Sequence, residues 1–419
     1  MNQTELHPSR GSQLQGKRIL LGVTGSIAAY KAVELASLLT QAEAEVDVIL
    51  TRAATEFVTA LTFQSVTGRK AYTDSDLWGD QAHVLHIGLA READLFAIAP
   101  ATANTLAKLA HGEADSLLTL AALAIECPLM IAPAMDTGMF QHPAVQANVT
   151  TLKNWGARMA GPAQGRMASG LQGLGRLLEP VELLGHIRLA LGADGPLKDF
   201  QVIVTAGGTR ERLDPVRYLT NRSSGKQGFA LAQAALDRGA QVTLISGPTY
   251  LPSPVGCRRI EVESAADMHK EILSHLKEAD VVIMAAAVAD FRPADQAKKK
   301  IKKADGVPAL ELEATVDILR QMGEQRQQTG RPAVLVGFAA ESEALEANAR
   351  RKLQEKGLDL IVANDISAGD SGFGVDTNRV TIIDAEGSLQ TLPLLSKMEV
   401  AESVMERVED LLNDLRLSA

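Results

Sequence analysis

Cysteine is almost absent. Cys127 and Cys257 are the only two in 419 residues, and each sits beside a proline or a glycine rather than in a CxxC. That argues against a metal cluster or a disulfide framework and for a reducing cytoplasm. Aromatic residues make up only 4% of the chain, while Ala, Leu and Gly are abundant. Such a balance suits helices packed on parallel sheets better than a β-sandwich. No apolar run reaches about 18 residues without polar interruption, so no membrane span is expected. Positive charge is in deficit: the formal net charge is -9. An acidic chain is repelled by a phosphate backbone, so nucleic acid is not an expected partner. The N-terminal MNQTELHPSRGSQLQGKR has no apolar core and reads as no signal peptide. Hydrophobic residues make up 46%, which excludes a disordered chain. The length exceeds one ordinary core, so two domains are expected.

The pattern supports two α/β halves. RILLGVT (18–24) is a strand, IAAYKAVELASLLTQ has helical spacing, and EVDVILT (45–51) is the next strand. This β-loop-α-β unit predicts a parallel sheet. ADLFAIAP (93–100) and PLMIAPA (128–134) are further buried strands, with one helix between them from Asn104 to Glu126. The pattern fades near Glu179, and GADGPLKDF (192–200) reads as a linker. The expected division is a first domain over 1–191, a linker over 192–199 and a second domain over 200–419. The grammar then restarts with QVIVTAGGT (201–209), a helix over GFALAQAALDRGA, and QVTLISGP. DVVIMAAAVAD (280–290), AVLVGFAAE (333–341) and DLIVAND (359–365) follow. Ligands of open α/β sheets bind beyond the carboxyl ends of the strands, so the residues after each strand are the candidates.

In the first half, Gly25 and Ser26 stand at a helix start. They read either as an anion site or as a tight turn capped by Ser26. His86 follows in HVLHIGLA (83–90). Thr102 and Asn104 in APATANTLAKLAHG lead into a helix and serve as its cap or as ligand contacts. The apolar run LMIAPAM ends on Met135 and then on one carboxylate, Asp136. A buried strand does not end on an unpaired charge without a reason.

GSIAAYK, HI-x-L, APATANT-x-AK, PAM followed by Asp136, and ASG-x-x-G-x-GRL occur in this order across residues 22–177. Together they resemble the flavin-containing cysteine decarboxylases, above all phosphopantothenoylcysteine decarboxylase. The resemblance implies a flavodoxin-like Rossmann domain that binds FMN and forms trimers with each site at a subunit interface. It makes Gly25, Ser26, Thr102, Asn104 and Met135 flavin contacts and His86 the catalytic base. The flavin would oxidise the thiol and return the hydride after CO₂ leaves. The chain departs from that family twice. Asp136 stands where Asn is common; a protonated Asp136 would hold the substrate carboxylate, and otherwise it holds the amide N–H. Ser169 stands where a cysteine acid is common; it would relay a proton, or else GLQGLGRL is only a flap.

In the second half, TAGGTRERLDPVRYLTNRSSGKQGFA (205–230) joins a glycine turn to a long polar loop carrying Arg217 and Asn221. Ser223-Ser224-Gly225-Lys226 then opens a helix at Gly228. This is a phosphate cradle without being a Walker A motif, or else a solvated loop. MAAAVADFRP ends a strand on Asp290, and KKKIKK (298–303) puts five lysines in six residues. Phe338 ends another strand. Lys352 and Lys356 lie four apart on one helix face.

TAGGTRE-x-LDPVRY, N-x-SSGK-x-G, AAVAD-F-RP, K-x-KK, GF-AAE and AND resemble phosphopantothenate–cysteine ligase across nearly all of residues 200–395. The resemblance implies CTP as activating nucleotide, a divalent metal such as Mg²⁺ at Asp290, and a dimeric domain. It assigns Asn221 to the acyl-cytidylate. It gives the nucleotide Asp290, Lys300, Thr315, Val316, Phe338, Lys352 and Lys356, and gives Arg217 the substrate phosphate. The whole chain thus resembles the bacterial bifunctional coenzyme A biosynthesis proteins, with two Rossmann-like three-layer α/β domains and parallel sheets. Its expected substrates are 4′-phosphopantothenate, cysteine and CTP. Trimer and dimer contacts together would close a homo-oligomer, a dodecamer in that family. A second reading is an active ligase fused to an FMN-bearing binding or assembly module.

Overall fold

The computed structural model describes residues 13–78, 84–302, 309–341, 343–365, 372 and 374–418. His83 and Lys303, which close the HVLHIGLA and KKKIKK segments at one end, lie outside the described residues. The chain divides into two compact units, Met1–Gly192 and Ala193–Ala419.

Among the described residues the main sheet of the first unit has six strands: β1 (Arg18–Val23), β2 (Glu45–Leu50), β3 (Ala71–Thr73), β4 (Leu95–Ala101), β5 (Leu129–Pro133) and β6 (Arg158–Met159). All pair in parallel in the order β3-β2-β1-β4-β5-β6. Side chains alternate between the two faces. Ile19, Leu21 and Val23 pack with Leu35, Phe63 and Ile187 on one side. Leu20, Phe96 and Ile98 pack with Leu106, Leu118 and Val149 on the other. The result is helices on both faces of a parallel sheet. Two expectations change here. The stretch from Asn104 to Glu126 is two helices, Ala103–His111 and Leu117–Ala124, because Gly112 takes a left-handed φ of 68° and ends the first. The chain beyond Glu179 is not featureless but forms the helix Pro180–Gly192. Before it, β7 (Ala163–Arg166) and β8 (Gln172–Arg176) form a hairpin.

The second unit repeats the strand order. Its parallel core contains β9 (Gln201–Ala206), β12 (Gln241–Ser246), β13 (Arg258–Glu261), β14 (Val281–Met284), β17 (Val334–Glu341) and β18 (Leu360–Asp365). The order is β13-β12-β9-β14-β17-β18, extended at one edge by antiparallel β20 (Val380–Asp384) and β21 (Leu389–Thr391). Those two strands were not foreseen from the parallel pattern. The small pairs β10 (Arg210–Arg212) with β11 (Tyr218–Thr220), β15 (Phe291–Pro293) with β16 (Leu312–Ala314), and β19 (Thr377–Asn378) with β22 (Leu395–Ser396) decorate the sheet. The expected linker is partly core: Leu197 is buried, and its N–H donates to the Arg238 carbonyl at 2.8 Å.

The helix expected to open at Gly228 begins at Lys226 and runs to Asp237, with Gly225 as a left-handed N-cap at φ 81°. It lies so close to β9 that a Cβ on Gly228 would sit 2.5 Å from the Ala206 Cβ and 2.7 Å from the Thr205 carbonyl oxygen. Gly228→Ala should therefore destabilise the second unit by about 1–3 kcal/mol. Urea unfolding followed in that unit tests this, and an unchanged midpoint would refute it.

Candidate functional site

In each unit a buried threonine near the end of the central strand reaches across to the neighbouring strand's loop. Thr24, after β1, donates to the Pro100 carbonyl at 2.7 Å and accepts from the Thr102 N–H at 3.1 Å. Thr205, in β9, accepts from the Ala286 N–H at 3.1 Å, and Thr209 accepts from the Ala289 N–H at 2.9 Å. Strand order reverses direction at these points, and a crevice opens there.

In the first unit the crevice is a cleft of about 880 Å³. Gly25 and Ser26 after β1, Thr102 and Asn104 after β4, and Met135 after β5 all line it. Gly25 fits by close approach, since a Cβ there would lie 2.4 Å from the Ala53 Cβ. Ser26 does not cap the helix directly. The helix begins at Ala29, and the Ser26 hydroxyl oxygen accepts from the Ala28 N–H at 3.2 Å within the preceding turn. Thr102 is the N-cap of Ala103–His111 and accepts from the Thr105 N–H at 3.3 Å.

Three other expected residues are outside that lining. His86 is the second residue of the helix Leu85–Glu92; its Nδ1 is buried and has no hydrogen-bond partner among the described residues. Asp136 is the N-cap of Thr137–Gln141, and its Oδ1 accepts from the Gly138 N–H at 3.0 Å. Its Oδ2 accepts from the Ser169 hydroxyl at 2.7 Å. The Ser169 hydroxyl first and the Gly138 amide second hold this carboxyl below the ordinary carboxylate range. Of the two readings of Asp136 the geometry favours the ionised one, since both oxygens serve as acceptors. The hairpin carrying Ser169 is seated by glycine, for a Cβ on Gly175 would lie 2.3 Å from the Met135 carbonyl oxygen.

The second cleft measures about 410 Å³. Asn221, Asp290, Thr315, Val316, Phe338, Lys352 and Lys356 all line it. Asn221 donates its amide nitrogen to the Ala287 and Val288 carbonyls at 3.3 and 3.1 Å. The Thr315 hydroxyl donates to the Ala289 carbonyl at 2.6 Å. Lys352 pairs with Glu341 at 2.6 Å and Lys356 with Asp317 at 3.0 Å. Lys300 and Arg217 are not in the lining. Arg217 is committed to Asp214 at 2.6 Å and to the Ile301 carbonyl at 2.7 Å.

Residues 7–190 match the sequence model of the Flavoprotein family, and residues 197–412 match that of the DNA/pantothenate metabolism flavoprotein C-terminal domain. A coenzyme A biosynthesis bifunctional protein, CoaBC, of Bacillus subtilis is 46% identical over 398 residues, covering 94% of this chain and 97% of that protein. The chain belongs to this bifunctional coenzyme A biosynthesis family. The CoaBC of Vibrio cholerae is 45% identical over 400 residues, covering 95% of this chain and 99% of that one. A crystal structure of a CoaBC C-terminal domain aligns with a TM-score of 0.45 at 41% identity, over 52% of this chain and 99% of that one. As a member of the family, the chain is an enzyme with a flavoprotein decarboxylase half and a ligase half.

Several lining residues escaped the sequence reading. Thr51, Arg52 and Ala53 follow β2 and line the first cleft, as do Lys108, Ser116 and Thr119. The strand-end rule, applied to EVDVILT, would have found the first three. In the second cleft, Lys226 of the expected phosphate cradle and Asn364 of the AND motif are part of the lining, whereas Asn378 and Lys397 were missed. Lys397 opens the C-terminal helix and donates to the Gly372 carbonyl at 3.2 Å. No periodic pattern marks a lysine that far along the chain. Burial first, and Lys226 second, push the Lys397 ammonium down to about 8.

A lysine with a lower pKa folded than unfolded binds fewer protons when folded between the two values, so stability rises with pH in that window. For Lys397 the window runs from about 8 to the ordinary lysine value of 10.5. Lys397→Met should flatten the rise, read by urea unfolding of the second unit at pH 8 and pH 10. An identical slope in both proteins would remove Lys397 as its source.

Proposed function

We propose that the second unit joins 4′-phosphopantothenate to cysteine with CTP and Mg²⁺, and that the first decarboxylates the product to 4′-phosphopantetheine with FMN. The observation that carries this is convergence. Five expected flavin residues from three separate segments line one cleft, and seven expected ligase residues from five segments line another.

The first cleft fits FMN. Its volume is in the range of a cofactor pocket. The helix Ala103–His111 begins at its edge, where the dipole favours a phosphate, and Leu118, Ala134, Met135 and Met139 offer apolar wall. Bound FMN supplies the redox chemistry, taking a hydride from the substrate and returning it. His86 takes the thiol proton. The family resemblance places each site at a subunit interface, and in that reading His86 serves a neighbouring copy's cleft. That favours the homo-oligomer over a lone chain, built from trimer contacts through the first unit and dimer contacts through the second, a dodecamer when both close. An ionised Asp136 repels a carboxylate and accepts from an N–H, so it holds the substrate amide. Ser169 orients Asp136, and protonating the substrate would require its hydroxyl to leave that carboxylate.

In the ligase, the phosphopantothenate carboxylate attacks the α-phosphorus of CTP and pyrophosphate leaves. The cysteine amine then attacks the acyl carbon and CMP leaves. Asn221 handles the acyl-cytidylate; Asp290, Thr315, Val316, Phe338, Lys352 and Lys356 hold the nucleotide; Lys300 and Arg217 attract the phosphates. Asp290 would be the residue that helps hold Mg²⁺, which would supply charge neutralisation at the nucleotide phosphates. The proposed setting is the cytoplasm, where Cys127 and Cys257 stay as free thiols.

Incubation of the purified protein with phosphopantothenate, cysteine, CTP and Mg²⁺ should give 4′-phosphopantetheine. A reaction that stops at phosphopantothenoylcysteine would leave a ligase joined to a flavin-binding module. Gly25→Val should remove the flavin absorbance and the decarboxylation while ligation persists. Retained flavin in that variant would exclude the first cleft as its site.

A further inference from the structure

Asp214 is a buried carboxylate that the chemistry above leaves unused. It is 3% exposed and lies in the turn between β10 and β11. Its Oδ1 accepts from the N–H groups of Val216 and Arg217 at 2.8 and 2.9 Å. Those two bonds alone would make an ordinary Asx turn. Oδ2 does something else. It accepts from Arg217 Nε and Nη2 at 3.0 and 2.6 Å and from the Ile301 N–H at 3.2 Å. Arg217 Nη2 also donates to the Ile301 carbonyl at 2.7 Å. One residue's N–H and C=O are thus both gripped by the same acid–base pair. A third tie runs from the Ala297 N–H to the Leu213 carbonyl at 3.1 Å.

The gripped residue sits inside the lysine run. Lys298, Lys299, Lys300 and Lys302 are all exposed. Like charges in a row repel one another and spread an unrestrained segment. An outside restraint is required to keep them together, and a buried carboxylate is stable in that place only if its bonds are complete. The pairing also orients Arg217. With Nε and Nη2 on Asp214, the Nη1 end of the fork has no partner among the described residues and can meet an anion.

We propose that Asp214 is a positioning residue of the ligase, fixing Arg217 and Ile301 as one frame so that Arg217 and Lys300 meet phosphate-bearing substrates together. This rests on the ligase reading above. Asp214→Asn keeps the shape but replaces one acceptor with a donor. In the full chain it should raise the KM for CTP and for phosphopantothenate together, by about tenfold or more, the size of a lost charge-assisted hydrogen bond. The ligase kcat and the decarboxylation of supplied phosphopantothenoylcysteine should stay at wild-type values. Amide exchange in residues 297–302 should quicken while the helix Lys226–Asp237 keeps its protection. A general loss of stability would move both. Should Asp214→Asn fail to fold, Arg217→Lys, which keeps the charge and loses the fork, should show the same paired rise and local exchange. A folded variant with either KM unchanged overturns the proposal, as does a fall in kcat alone. A wild-type protein that forms no amide with CTP would instead overturn the parent reading.

Discussion

A threonine hydroxyl at the end of the central strand is the interaction on which both halves depend. At a point where strand order reverses, neighbouring loops diverge and their backbone N–H groups lose sheet partners. Thr24 spans that gap in the first unit by donating to one side of the Pro100–Thr102 turn and accepting from the other. Thr205 and Thr209 do the equivalent for the loop after β14, where Ala287 also donates to the Gly207 carbonyl at 2.8 Å. These threonines are almost fully buried. An unmet N–H at such a site carries a desolvation cost, so the hydroxyl sets how far the loops part. The glycines then set how close they come: Gly25 rests on Ala53, Gly228 on Ala206, and Gly247 on the Gly208 carbonyl.

Most of this was legible in the sequence because parallel strands buried on both faces are continuous apolar runs. Most strands that carry the two clefts could be read to within a residue or two, but the run at 280–290 is a strand only over Val281–Met284, so Asp290 lies in the loop six residues beyond it, and Phe338 lies inside β17 rather than at its end. What could not be read follows other rules. The break at Gly112 depends on a left-handed residue inside an otherwise helical pattern. The edge strands β20 and β21 pair antiparallel, and nothing in VTIID distinguishes that from a parallel neighbour. Lys397 reaches its cleft from the C-terminal helix by a tertiary contact that no local pattern encodes.

Charge placement is where residue identity and residue position part company. Asp136 looks from the sequence like a lone charge closing a strand, yet it caps a helix and receives Ser169 at the same time. Arg217 looks like a free anion hook, yet its fork is half occupied by Asp214. The family's composition of polar residues can be matched position by position. Which of them are already partnered is a property of the folded chain, and that partnering decides the ionisation state and direction each group offers a ligand.

The repeated strand order also bears on inheritance. Each unit has its own core and its own crevice at its own reversal point, and neither sheet borrows a strand from the other. A lesion confined to one crevice leaves the other chemistry in place. Two defective alleles, one damaged in each half, would then supply between them everything a single intact gene supplies. Paired proteins of this kind would complement each other's chemistry in two groups divided near residue 192.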